Sequence, residues 1–297
     1  MFGILLIDKP QGWTSHDVCQ KLKRVLSEPR IGHSGTLDPM ATGLMVVCVG
    51  EATKFVKYLA SDDKVYEAEI TFGIATNTQD ITGEVVETGD PSHLSEAMID
   101  AAAALCQGAI RQVPPAFSAV KIDGKKLYEY AHAGKTGPEA ASREVFVHEF
   151  FRLDSLQTKQ GGTRTAGFRV HVSKGTYVRT LAHDLGIRLG VPATLSKLRR
   201  TAAGIHDVKD AVRWEDIDKN NPPFLEWKQA LGLPSIVVDD DLKRRVSHGA
   251  MLPTDLFPAL TDTILWDQQG HLLAVYQYDS THNLMRVSVI CHECTNP

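Results

Sequence analysis

The sequence predicts an α+β chain in two unequal domains, 1–234 and 235–297, on three observations. Between residues 64 and 73 the apolar Tyr66, Ala68, Ile70 and Phe72 alternate with Glu67, Glu69 and Thr71, the period of a half-exposed strand. From Ser15 to Leu26, and again from Thr176 to Leu189, apolar residues recur at helical spacing. Beyond about Ser235 the character changes, and three short apolar runs at 264–266, 272–278 and 284–290 are separated by Gly270 and a 279–283 turn, which makes a small β-rich unit. At 297 residues the chain also exceeds what a single core comfortably fills.

In chain order, residues 3–7 form an apolar strand that enters the turn cluster Asp8-Lys9-Pro10-Gln11-Gly12, from which Lys9 is expected to project as a surface lysine. The helix from Ser15 has Thr14 or Ser15 as its cap and carries Val18, Leu22, Val25 and Leu26 inward. It leads straight into a Gly-rich loop at 32–43. Residues 44–49 are continuously apolar, as in a strand buried on both faces. A helix at about 51–60, the alternating strand, and a polar turn at 76–83 follow; Asp80 in that turn has a default role in bonding backbone. A helix at 95–107 ends near Gly108, and Val113-Pro114-Pro115 breaks the chain. Next come a strand at 117–122, a turn at Gly124, a helix at 125–132 and a loop at 134–142. Strands at 145–153 and 165–172 are expected to be antiparallel neighbours around Gly161-Gly162. The helix from Thr176 stops at Gly190 and Pro192, and 195–200 adds a short segment. Short helical turns at 208–227, a helix after Asp239-Asp240-Asp241, and a disordered tail from Cys291 complete the chain.

Apolar residues make up 43% and charged residues 23%, the composition of an ordinary globular chain. No apolar run approaches a membrane span, and the first ten residues reach charge too soon for a signal peptide, so a cytoplasmic protein is expected. Five scattered cysteines make no disulfide framework, and Cys291, His292 and Cys294 lack a second ligand pair, so no metal is expected and the tail cysteines read as bystanders. The net charge of −4 argues against a nucleic-acid partner, but its distribution argues for one. Between residues 164 and 200, eight basic residues (Arg164, Arg169, Lys174, Arg179, Arg188, Lys197, Arg199 and Arg200) face a single acid, Asp184. Such a stripe can track phosphates whatever the total charge, although a merely solvated face is the alternative.

One acid stands out. The loop Gly-His-Ser-Gly-Thr-Leu-Asp-Pro-Met-Ala-Thr-Gly at 32–43 places three glycines and a proline around Asp38, and Pro39 drives Asp38 out of the helical region. A turn or cap role is the plain reading, and a presented carboxylate the functional one. Arg179 lies in the first turn of a helix, where the macrodipole disfavours a cation, so an acidic partner is expected for it.

The 32–43 loop, residues 5–12 (Leu-Leu-Ile-Asp-Lys-Pro-Gln-Gly) and residues 174–180 (Lys-Gly-Thr-Tyr-Val-Arg-Thr) together closely resemble the bacterial tRNA pseudouridine-55 synthases of the TruB type. The match covers about 3–200 well and the tail more loosely, where the β-rich unit is similar to a PUA-like domain. The resemblance implies a pseudouridine synthase fold, with a mixed, largely antiparallel central sheet flanked by helices. It implies isomerisation of one uridine in the T-arm loop of tRNA, with no cofactor, no membrane, no obligate protein partner and a monomeric enzyme. By the same resemblance Asp38 is the nucleophile, Tyr66 stacks on the target base, and Arg179 pairs with the aspartate. His33 fills the space left by everted nucleotides, Tyr177 and Leu198 line the pocket, and Lys9 and Asp80 are weaker carry-overs. Lys174, Lys197, Arg199 and Arg200 are the expected phosphate contacts. Asn77 and Met40 depart from the common pattern, away from the chemistry. Two other readings stay open: a related synthase acting on another RNA, including the guide-dependent type, and a tRNA-folding helper in which catalysis is secondary.

Overall fold

The computed structural model describes residues 2–60, 63–122, 124–133, 137–138 and 140–291. Eight strands carry the main sheet: Gly3–Lys9 (β1), Thr42–Val49 (β2), Lys64–Phe72 (β3), Gly108–Gln112 (β4), Arg143–Arg152 (β5), Arg164–Val172 (β6), Ala193–Ala203 (β7) and Val212–Arg213 (β8). They lie side by side in the order β8-β1-β2-β7-β3-β6-β5-β4, with Ile31–His33, Gln157–Thr158 and His206–Asp207 paired at the margins. Only β1 with β8 and β2 with β7 run parallel along this path, so the sheet is mixed and largely antiparallel, as expected.

Three helices cover it: Ser15–Val25 (α1), Glu96–Ala104 (α2) and Val178–Leu189 (α3). The alternation of β3 buries Tyr66, Ala68, Ile70 and Phe72 with Phe168 and Val170 of β6, under Ile99 and Ala103 of α2 and Leu181 and Leu185 of α3. The capping box that starts α1 is reciprocal: Asp17 N donates to Thr14 Oγ1 at 3.0 Å and Thr14 N donates to Asp17 Oδ2 at 2.8 Å. That helix buries Val18, Cys19 and Leu22 against Leu5, Ile7, Met45 and Val47. The opposite faces of β1 and β2 place Ile4, Leu6, Leu44 and Val46 against Phe55 and Trp227. Burial on both sides is why 44–49 reads as an unbroken apolar run.

A second sheet of five strands, Ser235–Val237, Thr263–Trp266, Leu272–Asp279, Leu284–Ile290 and Leu252–Pro253 in spatial order, accounts for the short runs after residue 235. Trp266, Leu272, Val275 and Val289 share a core cluster with the main sheet, so the two sheets are welded by apolar contact. Tyr58 Oη donates to Ser288 Oγ at 2.8 Å across the same junction.

The structure corrects the reading of 195–200. These residues belong to β7, an eleven-residue strand in the middle of the sheet. Register shifts at Leu195/Lys197 and Arg200/Ala202 break its alternation, which hid it from a period-two reading. The expected helix at 51–60 is a 3₁₀ turn, Gly50–Phe55, followed by one α-turn, Val56–Leu59. Cys291 is buried and disulfide-bonded, so it is not a bystander. The tail beyond it, with His292 and Cys294, lies outside the described residues, as does part of the expected 134–142 loop. Among the described residues, no helix is long and apolar enough to cross a membrane.

Of the three glycines in the 32–43 loop only Gly43 has a positive φ, +100°. It pairs with Arg200 where β2 meets β7, and a Cβ there would lie 2.3 Å from the Arg200 carbonyl oxygen. Gly43→Ala is therefore expected to destabilise the chain by at least about 2 kcal/mol, read as a lowered midpoint in thermal unfolding.

Candidate active site

Asp38 is held by its neighbours before anything touches its carboxylate. Leu37 N donates to Ser15 Oγ at 2.8 Å, and the same hydroxyl donates back to Leu37 O at 3.2 Å. On the other side Pro39 O accepts from Gly12 N at 2.8 Å, and Ala41 N closes a turn on Asp38 O at 3.1 Å. Leu37 and Met40 are buried in the same cluster as Tyr66, so the apolar residues of the loop anchor it while Asp38 stays half-buried. The N-terminal end of α1 thus doubles as the clamp of the loop.

Arg179, the second residue of α3, is 4% exposed and places its guanidinium between two carboxylates. Its Nε lies 2.8 Å from Asp38 Oδ2, but off the N–H direction, so the contact is an ion pair and not a directed hydrogen bond. Directed bonds go from Nη1 to Thr78 O and from Nη2 to Phe117 O, each 2.9 Å, with a longer one from Nη2 to Asp38 Oδ1 at 3.5 Å, and Nη1 stands 3.5 Å from Asp80 Oδ2. The acidic partner expected for a cation at a helix N-terminus is therefore present twice.

Asp80 does more than fill a turn. It is 5% exposed and takes hydrogen bonds from Thr78 Oγ1 at 2.9 Å, Thr82 N at 3.0 Å and Thr82 Oγ1 at 2.5 Å. Its turn is stitched to β7 by Leu195 N to Gln79 O at 3.2 Å and Ile81 N to Leu195 O at 2.9 Å. Gln79 takes a left-handed φ of 62° there, and Thr180 Oγ1 donates to its Oε1 at 2.8 Å.

The Asp38 side chain keeps 32% of its surface exposed, so it is half-buried and reachable from solvent. Burial nevertheless raises its pKa above the ordinary value; the Arg179 guanidinium opposes that rise, Asp80 adds to it, and Lys9 opposes it. The arginine limits the shift without cancelling it. Because the folded chain holds this proton more tightly than the unfolded one, the carboxylate costs stability as pH rises through the folded pKa.

Lys9 corrects an expectation. It is the last residue of β1, wholly buried, and its Nζ donates to Pro10 O at 3.0 Å, Trp13 O at 2.6 Å and Pro39 O at 3.5 Å. Burial lowers its pKa to about 8, with Asp38 acting in the opposite direction, so the ammonium persists at neutral pH behind the loop. A hollow of about 260 Å³ lined by Asp8, Lys9, Thr42, Arg199 and Trp214 lies on this side of the loop.

Tyr66 is 8% exposed and shares a cluster with the residues flanking Asp38; Leu198, on the neighbouring strand, is in the same cluster. His33 sits in the margin strand opposite Val47, and burial, with Arg200 nearby, lowers its pKa, which leaves a neutral ring. Tyr177 caps α3 and is gripped by Gln112, whose Oε1 accepts from Tyr177 N at 2.7 Å and whose Nε2 donates to Tyr177 O at 3.1 Å. The Arg143 guanidinium stands over the Tyr177 ring at 4.8 Å. Sequence reading missed Gln112, Arg143 and the Phe117 carbonyl, none of which carries a local signal.

Three residues of the basic stripe are answered by acids on other strands. Arg199 Nη2 lies 2.7 Å from Asp8 Oδ2, Lys197 Nζ 2.9 Å from Glu69 Oε2, and Arg169 Nε 2.9 Å from Glu149 Oε2. Arg200 is 2% exposed and donates to Leu44 O at 2.6 Å and Gly35 O at 3.2 Å, so it braces the Asp38 loop and is not placed to grip a phosphate. Lys174 is exposed, and Lys197 keeps 75% of its side-chain surface despite its partner.

A mixed sheet packed against a second, five-stranded sheet, with a buried arginine between two loop carboxylates, is a fold shared with known proteins. Residues 23–178 match the model described as TruB family pseudouridylate synthase (N terminal domain), and 179–222 match the tRNA pseudouridylate synthase B C-terminal domain. Relatives called tRNA pseudouridine synthase B include one from Bacillus cytotoxicus, 43% identical over 94% of this chain and 93% of its own length. Another, from Listeria welshimeri, is 39% identical over 93% of each chain. A solved structure described as a Cbf5-Nop10-Gar1 complex superposes with a TM-score of 0.70 at 25% identity, covering 97% of this chain and 85% of that one. The chain belongs to the TruB family of pseudouridylate synthases and is an isomerase of that family.

Proposed function

We propose that the chain isomerises the uridine at position 55 in the T-arm loop of tRNA to pseudouridine, with Asp38 as nucleophile on a flipped-out nucleotide. The observation that carries this reading is the Asp38–Arg179 pair at 2.8 Å, held by backbone bonds on either side of Asp38 with about a third of the Asp38 side chain exposed. The target base must leave the loop stack, at a cost of a few kcal/mol, and stacking against an aromatic face such as Tyr66 recovers about 1–3 kcal/mol. The Asp38 anion attacks the nucleoside at the sugar C1′ or at the ring, and the N1–C1′ bond breaks. The ring turns within the pocket, C5 bonds to C1′, the bond to Asp38 breaks and returns the free carboxylate, the C5 proton leaves and N1 takes one up, so the reaction balances without a cofactor. Arg179 serves by opposing the rise in the Asp38 pKa and so favouring the anion, and Tyr66 by lying against the ring. The domain 235–297 would extend the RNA-binding surface of a monomeric cytoplasmic enzyme.

The purified chain alone, given tRNA labelled with tritium at uridine C5, is expected to release label to one equivalent per tRNA. The superposed Cbf5 stands in a complex with Nop10 and Gar1. Release only on adding a guide RNA or protein partners would move the chain to the guide-dependent reading. Refolding of tRNA without any release would favour the folding helper.

Binding should weaken with salt, and the surface divides the basic residues into two kinds. Lys197→Ala is expected to flatten the slope of log affinity against log salt by about 0.7–0.9, the effect of one phosphate contact. Arg200→Met is expected to leave that slope alone and lower thermal stability, since it strands buried carbonyls at about 1–3 kcal/mol. Affinity that ignores salt would end the phosphate reading.

A further inference from the structure

On the face of the sheet away from the catalytic cluster, three side chains converge with the chemistry of a metal site. We propose that Asp63, His148 and His171 bind a divalent transition cation, zinc above all, at a site separate from the Asp38–Arg179 pair. Asp63 Oδ2 lies 2.8 Å from His148 Nε2 and 4.0 Å from His171 Nε2, and the three ligand atoms fall within 4.8 Å of one another. Donors bound at about 2.0–2.2 Å around a tetrahedral ion stand about 3.4 Å apart, so small side-chain rotations bring all three into range. The two imidazoles tilt against each other, with centroids 4.5 Å apart and planes at 34°, which leaves both Nε2 atoms toward the one carboxylate.

The backbone builds this convergence. His148 is the extra residue where the register of β5 against β6 shifts between Val147 and Glu149, and such a bulge re-aims a side chain. His171 pairs with Glu149 on one side and Val65 on the other, so it shares the half-exposed face of β3 with Val65 and Glu67, opposite Tyr66. Asp63 leads into β3, its carbonyl accepting from Gly204 N at 2.9 Å. Exposures of 43%, 34% and 31% for Asp63, His148 and His171 leave the three open to an entering ion and leave room for water as a fourth ligand. Two imidazoles and a carboxylate suit zinc, copper or nickel far better than magnesium or calcium, which take oxygen ligands. A bound ion would clip β5 and β6 to the start of β3, three residues ahead of Tyr66.

The test uses tag-free, chelator-treated full chain and zinc chloride alone, followed by calorimetry and thermal unfolding. One equivalent of zinc should bind and raise the melting temperature in proportion to its concentration above Kd. His148→Gln and His171→Gln should each weaken binding at least about tenfold and abolish the melting shift. Absorption spectroscopy at the zinc edge of the wild-type protein should report two imidazoles with oxygen ligands, a readout that needs no variant. Wild-type protein that takes up no zinc, a sulfur-containing shell, or His148→Gln and His171→Gln proteins that bind as wild type does, would each overturn the site.

Discussion

Asp38→Asn is expected to abolish C5-tritium release from tRNA, a fall of at least about four orders of magnitude, because the amide keeps the shape and loses the nucleophile. Its affinity for tRNA should change less than about tenfold, near 1.4 kcal/mol, since the carboxylate is one small part of an interface held elsewhere. The loop itself should survive, because its clamps run through Ser15, Gly12 and Lys9 to the backbone of Leu37 and Pro39 and not through the Asp38 side chain. The split between turnover and binding is what separates a nucleophile from a residue that only shapes the loop. Gel-shift affinity and label release on the same preparation measure it. Turnover within tenfold of wild type would remove Asp38 from the chemistry.

Arg179→Met should be nearly as severe, for two reasons that can be read separately. The guanidinium stands between the carboxylates of Asp38 and Asp80, and it also satisfies the carbonyls of Thr78 and Phe117. Breaking a buried pair costs about 3–5 kcal/mol; the partial exposure of Asp38 places the expected loss at the lower end. The chemical effect has a sign. Burial already raises the pKa of Asp38, Arg179 is what opposes the rise, and Asp80 adds to it. Without the arginine the raised pKa climbs further, so the acid limb of the pH–rate profile moves to higher pH and activity near neutrality falls. Between the ordinary aspartate value and the new one the folded chain binds more protons than the unfolded chain, so stability falls as pH rises across that window. An acid limb that stays in place would show that Arg179 acts through position alone.

Asp38 and Arg179 were legible in the sequence because each breaks a local rule. A loop rich in glycine and proline around one acid needs a reason, and so does a cation at the start of a helix. The strand at Lys64–Phe72 and the helix at Val178–Leu189 were legible through period. The remainder depends on residues far apart in the chain. Lys9 reads as a surface lysine until β1 is packed and Pro39, thirty residues on, presents its carbonyl. Gln112 has no reason to matter until β4 comes beside the start of α3. The basic stripe was counted along the chain, whereas its neutralising acids Asp8, Glu69 and Glu149 arrive from other strands. β7 was hidden by its own bulges, and Arg200 on it turns inward where charge alone places it outside.

The most direct measurement maps pseudouridine, base by base, in unmodified tRNA incubated with the purified chain. A single new pseudouridine in the T-arm loop, formed by the wild-type protein and absent with Asp38→Asn, is the predicted result. Pseudouridine elsewhere in the tRNA, or at the same place with Asp38→Asn, would contradict the account.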